Sequence, residues 1–270
     1  MLSDTFEKHR QALNCQTVDT KDTTIAGSEA TLGFRDAVGM GAMLFDPLLL
    51  PQADPSLFDA GNAELAAQPV AVGGRGSAWF VSTDAGDAVL RHYRRGGVVA
   101  RFSRETYLWS GAGRTRSFSE FRLLQALRER GLPVPTPLAA AYWRHGTGYR
   151  AALLMLRLAE TQSMGALFDR GLAPPWKDVG RTIARFHREG ACHADLNVDN
   201  VLMDGNAACW LIDFDRGVLR APASGWQQAN LARLKRSLRK RLGARASGTG
   251  IVAGWDAMLD SYRNALKEVP

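Results

Sequence analysis

The feature that most constrains the fold is a pair of short apolar runs joined by a turn, with polar side chains at their borders. "VLM" at 201–203 and "CWLI" at 209–212 are separated by "DGNAA", a turn-forming segment. Two apolar strands joined by such a turn predict a β-hairpin. Asn200 and Asp213 border the two strands, so the hairpin should bring them together at its open end.

These border residues are of the types that bind magnesium. A carboxylate and an amide oxygen suit Mg²⁺, which usually binds one or two carboxylates together with substrate phosphates. Asp195 lies five residues before Asn200, where it could accept the proton of an incoming hydroxyl group. Each residue alone has a simpler interpretation, since Asp and Asn are common in turns. The spacing H-x-D-x-x-x-x-N, followed by a strand that ends in D-F, favours phosphoryl transfer.

Strand patterns dominate the first half of the chain. They run from "SAWFVST" through "DAVLRHY" to a hairpin around "RHGTGY", with one helix at "SFSEFRLLQALRERG". Ser117 or Ser119 is the candidate N-cap of that helix, and Gly131 its stop. The second half is mostly helical, with "WKDVGRTIARFHREG" as an amphipathic helix.

This order predicts an α+β fold of two lobes. We expect a flexible tail at 1–34, a β-rich lobe at 35–156 and an α-rich lobe at 157–270. The 270 residues are enough for both lobes, and the active site is predicted in the cleft between them.

Charge and cysteine content limit the partners and the compartment. The net charge is +7, from 34 Lys and Arg against 27 Asp and Glu, which favours an anionic partner. The three cysteines show no paired spacing, so a reducing compartment fits better than a disulfide framework. No apolar run reaches the length of a membrane-spanning helix, and the N-terminus lacks the apolar centre of a secretory signal.

A basic helix is predicted at 230–246, and it has two interpretations. Its leucines share one face: Leu231, Leu234, Leu238 and Leu242. A basic amphipathic helix is typical of binding to an anionic membrane surface. Alternatively, the leucines pack on the protein and the basic face is solvated. Nucleic-acid binding is disfavoured, because the segment has no interleaved aromatic residues.

The polar loop resembles a known superfamily. "HADLNVDN" is similar to the catalytic loop of the protein-kinase-like superfamily, and "IDFD" to its metal-binding segment. The resemblance implies ATP and Mg²⁺. It assigns Asp195 as the catalytic aspartate, Asn200 and Asp213 as metal ligands, and His193 as the buttress of the loop.

The same resemblance implies further parts upstream. Arg91 stands where the family has a lysine that binds the α- and β-phosphates. Because Arg is no free substitute for Lys at a tight site, either Arg91 fills this role or the alignment is shifted here. Glu120 orients that cation, unless it is a solvated residue near a helix end. The remaining implied nucleotide contacts are a glycine turn over the phosphates and backbone groups that meet adenine. These are Gly73, Gly74 and Gly76, then Met155, Leu156 and Leu158. Taken alone, a glycine-rich turn is more often an ordinary hairpin turn.

The segment after Asp213 narrows the choice of acceptor. "DFDRGVLRAPASGWQQAN" passes almost directly into a helix, which leaves little room to dock a peptide. "GGRGSAWFV", "YLWSGAGRTRSFSEFRLL", "HADLNVDNVL" and "LIDFDRG" together resemble the lipopolysaccharide-core kinase family, most of all its branch that phosphorylates 3-deoxy-D-manno-octulosonic acid (Kdo). This implies the 4-hydroxyl of Kdo on Kdo–lipid A as acceptor and a peripheral protein at the cytoplasmic face of the inner membrane.

Arginines between the second strand and the first helix suit this anionic acceptor, because a guanidinium binds carboxylate or phosphate bidentately. A solvated basic loop is the alternative for each of them. They are Arg94, Arg95, Arg101, Arg104, Arg114 and Arg116.

Two other functions stay open at this point. One is a soluble kinase of the aminoglycoside or choline type, although its cationic acceptors do not match the basic segments. The other is a catalytically inactive kinase-like binding module, which would fit Arg at position 91.

Overall fold

The computed structural model describes residues 19–20, 24–26, 29–36, 39–70, 77–93 and 106–268. These residues form two compact units. The first, here called the strand unit, takes the described residues up to 70 and those within 77–118 and 138–154. The second, the helical unit, takes 119–137 and 155–268.

The strand unit is organised by one large sheet, which has ten strands within the described residues. The strands are β1 Asp19–Thr20, β2 Thr24–Ala26, β3 Glu29–Arg35, β4 Met40–Phe45, β5 Gln68–Pro69, β6 Ala78–Thr83, β7 Gly86–His92, β8 Tyr107–Leu108, β9 Pro137–His145 and β10 Gly148–Leu156. Their order is β1-β3-β4-β9-β10-β7-β6-β5, with β2 also on β3 and β8 on β10. Neighbours pair antiparallel at β3–β4, β4–β9 and β6–β7. The inner strands β9 and β10 are buried along 138–141 and 151–154, as expected for strands covered on both faces.

The prediction of a flexible tail through residue 34 is wrong for 29–34. These residues lie in β3, which pairs with β4 from Ala30↔Phe45 to Arg35↔Met40. Ala30, Leu32 and Phe34 are buried in strict alternation, the pattern of a strand with one face on the core. The polar composition around them hid this two-residue period.

The helical unit contains most of the helices. Their bounds are α1 Arg116–Glu129, α2 Met164–Asp169, α3 Trp176–Arg188, α4 Ser224–Leu242 and α5 Thr249–Lys267; the first turn of α1 belongs to the strand unit. Short strands connect them: β11 Gln162–Ser163, β12 Ala191–Cys192, β13 Val201–Met203, β14 Cys209–Leu211 and β15 Val218–Leu219. β11, β13 and β14 form one small sheet, and β12 and β15 form another.

Two helices show how the pattern of apolar residues produces the fold. Val179, Ile183 and Phe186 recur on one face of α3 and are buried, and Gly190, at φ +74°, ends the helical run. α1 likewise buries Phe121, Leu124 and Leu127 on one face. The predicted caps of α1 are wrong, because Ser117 lies inside the helix and its hydroxyl donates to Ala141 O; Ser119 is also inside.

The observed units differ from the predicted lobes at one segment. Residues 119–137, placed in the β-rich lobe from the sequence, group with the helical unit, and the division along β10 falls between 154 and 155. The location of the active site in a cleft stays a prediction. None of the helices in the described part of the chain is long and apolar enough to span a membrane.

Candidate active site

The predicted hairpin is present as β13 and β14. Val201 pairs with Leu211 and Met203 with Cys209. Asp204 shapes the turn, because its carboxylate accepts hydrogen bonds from the N–H groups of Asn206 and Ala208. Asp204 is therefore a turn residue, as expected from its place in the turn-forming segment "DGNAA".

The two predicted metal ligands, Asn200 and Asp213, lie next to each other at the open end of the hairpin. The N–H of Ile212 donates to Asn200 O at 3.1 Å, so Asp213 is the next residue along from this bond. Asp213 adopts a left-handed backbone conformation, φ +62°, which is uncommon outside glycine and is best tolerated by Asn and Asp. Asn200 and Asp213 line the same pocket.

His193 links the catalytic loop (residues 193–200) to this hairpin. Its ring is 2% exposed. Nδ1 accepts the N–H of Asp195 at 3.0 Å, and Nε2 lies 2.9 Å from Ile212 O. The proton therefore sits on Nε2, since Nδ1 acts as the acceptor. Burial lowers the pKa of His193, which keeps the ring neutral in this role. The buttressing position predicted for His193 is confirmed by these contacts.

Asp195 is held from three sides while its carboxylate stays 58% exposed. Asn197 and Asn200 each donate a side-chain N–H to Asp195 O at 3.0 Å. Arg233 Nη1 donates to Asp195 Oδ1 at 2.9 Å. A carboxylate in this setting can meet a hydroxyl group from solvent, as a proton acceptor must.

α4 contacts the catalytic loop through other side chains as well. Asn230 is 6% exposed; its Oδ1 accepts the N–H of His193 at 3.2 Å, and its Nδ2 donates to His193 O at 2.9 Å. Ser237 Oγ accepts the N–H of Val198 at 3.1 Å. Arg241 binds both oxygens of Asp169 at the end of α2 and lies 3.5 Å from Asp199. Its hydrogen bond lowers the pKa of Asp169.

The basic helix therefore contributes side chains to the site. Leu234, Leu238 and Leu242 are buried, which confirms the interpretation that the leucines pack on the protein. These three leucines are therefore not available to a membrane, whereas binding of 230–246 to an anionic membrane surface stays a prediction. Contact with lipid is left to the basic face alone.

The loop and α4 together enclose one pocket of about 650 Å³. Carboxylates and amides form one wall and cations the other. The lining residues are Asp195, Asn197, Val198, Asp199, Asn200, Asp213, Arg233, Arg236, Ser237, Lys240 and Arg241. Sequence reasoning missed the roles of Asn230, Arg233, Ser237 and Arg241 at this site. The basic residues of α4 were the only signal in the sequence, and they did not indicate that this helix contacts the catalytic loop.

The oxygen ligands that Asn200 and Asp213 offer in this pocket suit a magnesium ion. Asn200 donates its amide N–H to Asp195 O, which leaves its Oδ1 as the atom to face a cation. Asp213 supplies a carboxylate to the same pocket. An amide oxygen and a carboxylate are hard ligands of the kind that Mg²⁺ prefers.

Arg91 and Glu120, the predicted phosphate-binding cation and its orienting acid, lie in different units. Arg91, on β7, donates to Tyr93 Oη at 3.2 Å, with its guanidinium 4.7 Å from the centre of that ring. Glu120, on α1, is 2% exposed, so the alternative of a solvated residue is wrong. Their predicted ion pair stays a prediction.

The predicted adenine contacts lie at the end of β10 and just after it. The N–H of Leu156 donates to Thr136 O at 2.8 Å, so it is not free to bind adenine. Leu158 O accepts the hydroxyl of Thr161 at 2.9 Å. Met155 is buried. Adenine binding at Met155 and Leu158 stays a prediction.

The predicted glycine turn and most of the predicted acceptor arginines lie outside the described residues. These are Gly73, Gly74, Gly76, Arg94, Arg95, Arg101 and Arg104. Arg114 is exposed in a 3₁₀ turn of the strand unit. Arg116 places its guanidinium 4.7 Å from the centre of the Tyr107 ring, so part of its binding capacity is used there.

Comparison with known proteins connects this geometry to a family. Residues 64–262 match the family described as "Lipopolysaccharide kinase (Kdo/WaaP) family". A 3-deoxy-D-manno-octulosonic acid kinase of Xanthomonas campestris pv. campestris (strain B100) is 57% identical over 219 residues, 81% of this chain and 88% of that protein. A protein of the same name from Xanthomonas oryzae pv. oryzae is 52% identical over 241 residues, 88% of this chain and 96% of that one.

One solved structure gives a weaker match. The bifunctional kinase-methyltransferase WbdD aligns with 75% of this chain and 46% of its own, at 16% identity and a TM-score of 0.42. That score alone does not establish a shared fold, so the sequence matches carry the assignment.

Proposed function

The chain belongs to the lipopolysaccharide kinase (Kdo/WaaP) family, and we propose that it transfers the γ-phosphate of ATP to the 4-hydroxyl of Kdo on Kdo–lipid A. The family makes it a phosphotransferase with a protein-kinase-like fold. The name of its relatives supports Kdo as the acceptor. The 4-hydroxyl and the lipid A anchor rest on the motif resemblance.

One observation carries the proposal: Asp195, Asn200 and Asp213 line a single pocket. Asp195 orients the sugar hydroxyl and accepts its proton as the phosphate transfers. His193 holds the backbone of Asp195 in position, because it accepts the Asp195 N–H. Catalysis of this kind depends mainly on positioning and electrostatic stabilisation.

Asn200 and Asp213 are the residues that would hold Mg²⁺. When bound, the ion would neutralise negative charge on the ATP phosphates. Asn200 also ties the site to the loop, since its amide N–H donates to Asp195 O.

The remaining nucleotide contacts are proposed from the family pattern. Arg91, oriented by Glu120, neutralises the α- and β-phosphates. Gly73, Gly74 and Gly76 cover the phosphates, and Met155 and Leu158 offer backbone groups to adenine. Arg94, Arg95, Arg114 and Arg116 contribute to acceptor binding.

The acceptor is anionic, and the charge of the pocket supports that choice. Arg233, Arg236, Lys240 and Arg241 line it, which disfavours the cationic acceptors of aminoglycoside or choline kinases. A lipid-linked acceptor would also place the protein at the cytoplasmic face of the inner membrane. There the exposed cations of 230–246 would be attracted to anionic lipid.

The test is transfer of labelled phosphate from MgATP to Kdo–lipid A, with NMR of the product to locate the phosphate. We expect label in the lipid and the phosphate at the 4-position of Kdo. Phosphate at another Kdo hydroxyl would refute the 4-hydroxyl assignment. No transfer to Kdo by the folded, ATP-binding protein would refute the acceptor itself.

A further inference from the structure

The contact between Arg233 and Asp195 places a cation on the proposed proton acceptor. Arg233 Nη1 lies 2.9 Å from Asp195 Oδ1, and the two side chains are 46% and 58% exposed. Exposed ion pairs contribute little to stability. Arg233 can therefore gain or exchange a partner at a small cost in free energy. The pair with Asp195 also keeps the Arg233 guanidinium next to the carboxylate that the acceptor hydroxyl must approach.

The helix that carries Arg233 is held firmly in place. Arg241 is tied to Asp169 through both carboxylate oxygens, and Leu234, Leu238 and Leu242 are buried. Asn230 clamps both backbone groups of His193. The cationic wall of the pocket therefore has a fixed position relative to Asp195.

That wall has capacity for an additional anion. Arg236 and Lys240 line the pocket with Arg233. Within the described part of the chain, no carboxylate lies at ion-pair distance from either of them. A guanidinium has five N–H donors, so Arg233 can also bind a second carboxylate while it keeps a bond to Asp195.

We propose that Arg233 determines acceptor specificity by binding the carboxylate of the acidic sugar whose hydroxyl Asp195 activates. The inference rests on the proposed function. An anion bound by Arg233 would lie close to the hydroxyl that Asp195 orients, because Arg233 Nη1 is 2.9 Å from Asp195 Oδ1; a carboxylate and a hydroxyl on one sugar ring fit this short separation. A phosphate elsewhere on the lipid is the other source of negative charge, and it would fall to Arg236 and Lys240.

The test compares acceptors that differ only at one group. The full-length protein is assayed with Kdo–lipid A, with the same lipid carrying Kdo carboxamide in place of the carboxylate, and with dephosphorylated Kdo–lipid A. For the wild type we expect the carboxamide to lower kcat/KM roughly 10- to 100-fold, the range for loss of a charge-assisted hydrogen bond. The loss should appear mainly in KM.

The decisive variant is Arg233→Gln. Its kcat/KM with the natural acceptor should fall by a similar factor, and replacing the carboxylate by the carboxamide should not lower its kcat/KM further. The dephosphorylated lipid should still depend on Arg233. Arg233→Lys, which keeps the charge but not the planar fork, should recover part of the discrimination.

Arg239→Gln is the matched control, because Arg239 is exposed on the same helix and does not line the pocket. It should discriminate as the wild type does, and thermal unfolding verifies that each variant is folded. Undiminished discrimination by Arg233→Gln would overturn the inference, and so would loss of Arg233 dependence with the dephosphorylated lipid. Equal wild-type activity on carboxylate and carboxamide overturns the inference but leaves the proposed function standing. Absence of transfer to either acceptor refutes the proposed function.

Discussion

The two walls of the pocket are built in different ways. The catalytic loop has its own bonds within 193–213, from His193 to Ile212 O and from Ile212 to Asn200 O, and α4 adds the clamp on His193. The wall on α4 reaches the loop from far along the chain, with Arg233 lying 38 residues after Asp195. The loop presents carboxylates and amides, whereas α4 presents cations.

We infer from this difference that the two walls affect different kinetic constants. A wall fixed by short-range bonds keeps the reacting groups in register, which affects kcat. A wall of exposed cations attracts and orients an anion, which affects KM and its salt dependence. Substitutions on the two walls should therefore change different kinetic constants.

The largest effect is expected at the proton acceptor. Asp195→Asn should lower kcat by about 10²- to 10⁴-fold, the usual contribution of a positioned general base. It should leave stability nearly unchanged, because the side chain is largely exposed. Steady-state kinetics with Kdo–lipid A and thermal unfolding measure the two quantities.

Asp260→Asn is the control, since Asp260 is an exposed carboxylate on α5, paired only with Arg263 among the described residues. It should behave as the wild type. A variant at Asp195 that changes KM but keeps kcat would break the proposed division between the walls.

The next effect concerns acid stability. Burial lowers the pKa of His187, on α3, to about 4. The folded protein therefore resists protonation of a group that the unfolded chain protonates below about 6.5. This predicts that the free energy of unfolding is unaffected by His187 above pH 6.5 and falls progressively as the pH is lowered toward 4. The linkage amounts to about 3 kcal/mol in unfolding free energy.

Urea unfolding between pH 7 and 4 measures this loss. His187→Gln should reduce the difference in stability between those two pH values. Tyr262→Phe removes the hydroxyl that lies 2.8 Å from His187 Nδ1 but leaves the ring buried, so it should retain most of the loss. An unchanged acid slope in His187→Gln would assign the acid sensitivity to other groups.

A smaller effect is expected where α4 clamps the loop. Asn230→Ala leaves the N–H and C=O of His193 without these partners. The cost should be about 1–3 kcal/mol in unfolding free energy, with a fall in kcat because His193 positions Asp195. Asn264→Ala, at an exposed position on α5, is the matched control. If Asn230→Ala lowers stability but kcat is unchanged, the clamp does not serve the chemistry.

The smallest effect should come from Arg236 and Lys240, which line the pocket and have no ion pair among the described residues. Arg236→Gln should raise the KM for Kdo–lipid A several-fold at low salt and less at high salt, because exposed charges are screened. kcat should stay near the wild-type value. A salt-independent change in kcat would place Arg236 with the catalytic loop instead.

The same contrast explains what could be predicted from the sequence. The hairpin and the convergence of Asn200 and Asp213 are encoded by residues close together in the chain, so spacing was enough. The buttress at His193 was implied by the resemblance to the kinase-like superfamily. The contacts of Asn230, Arg233 and Ser237 arise from tertiary packing over 37–39 residues. No local pattern encodes such contacts.

Composition also misled at particular places. Polar residues around β3 suggested a tail, although Ala30, Leu32 and Phe34 alternate into the core. Ser117 was predicted as a cap because Ser favours that position, but its hydroxyl is used by Ala141 O. For Ser117 a partner 24 residues away decided the outcome, whereas for β3 the local alternation was overlooked beside its polar neighbours.

In the proposed arrangement, one pocket holds the acceptor hydroxyl at Asp195 on the catalytic loop and the acceptor anion at Arg233 on α4. A crystal structure with Mg²⁺, a non-hydrolysable ATP analogue and Kdo tests it most directly. We expect a Kdo hydroxyl about 3 Å from the Asp195 carboxylate and the Kdo carboxylate at hydrogen-bond distance from Arg233. Kdo bound with its carboxylate away from α4, or outside the pocket altogether, would contradict it.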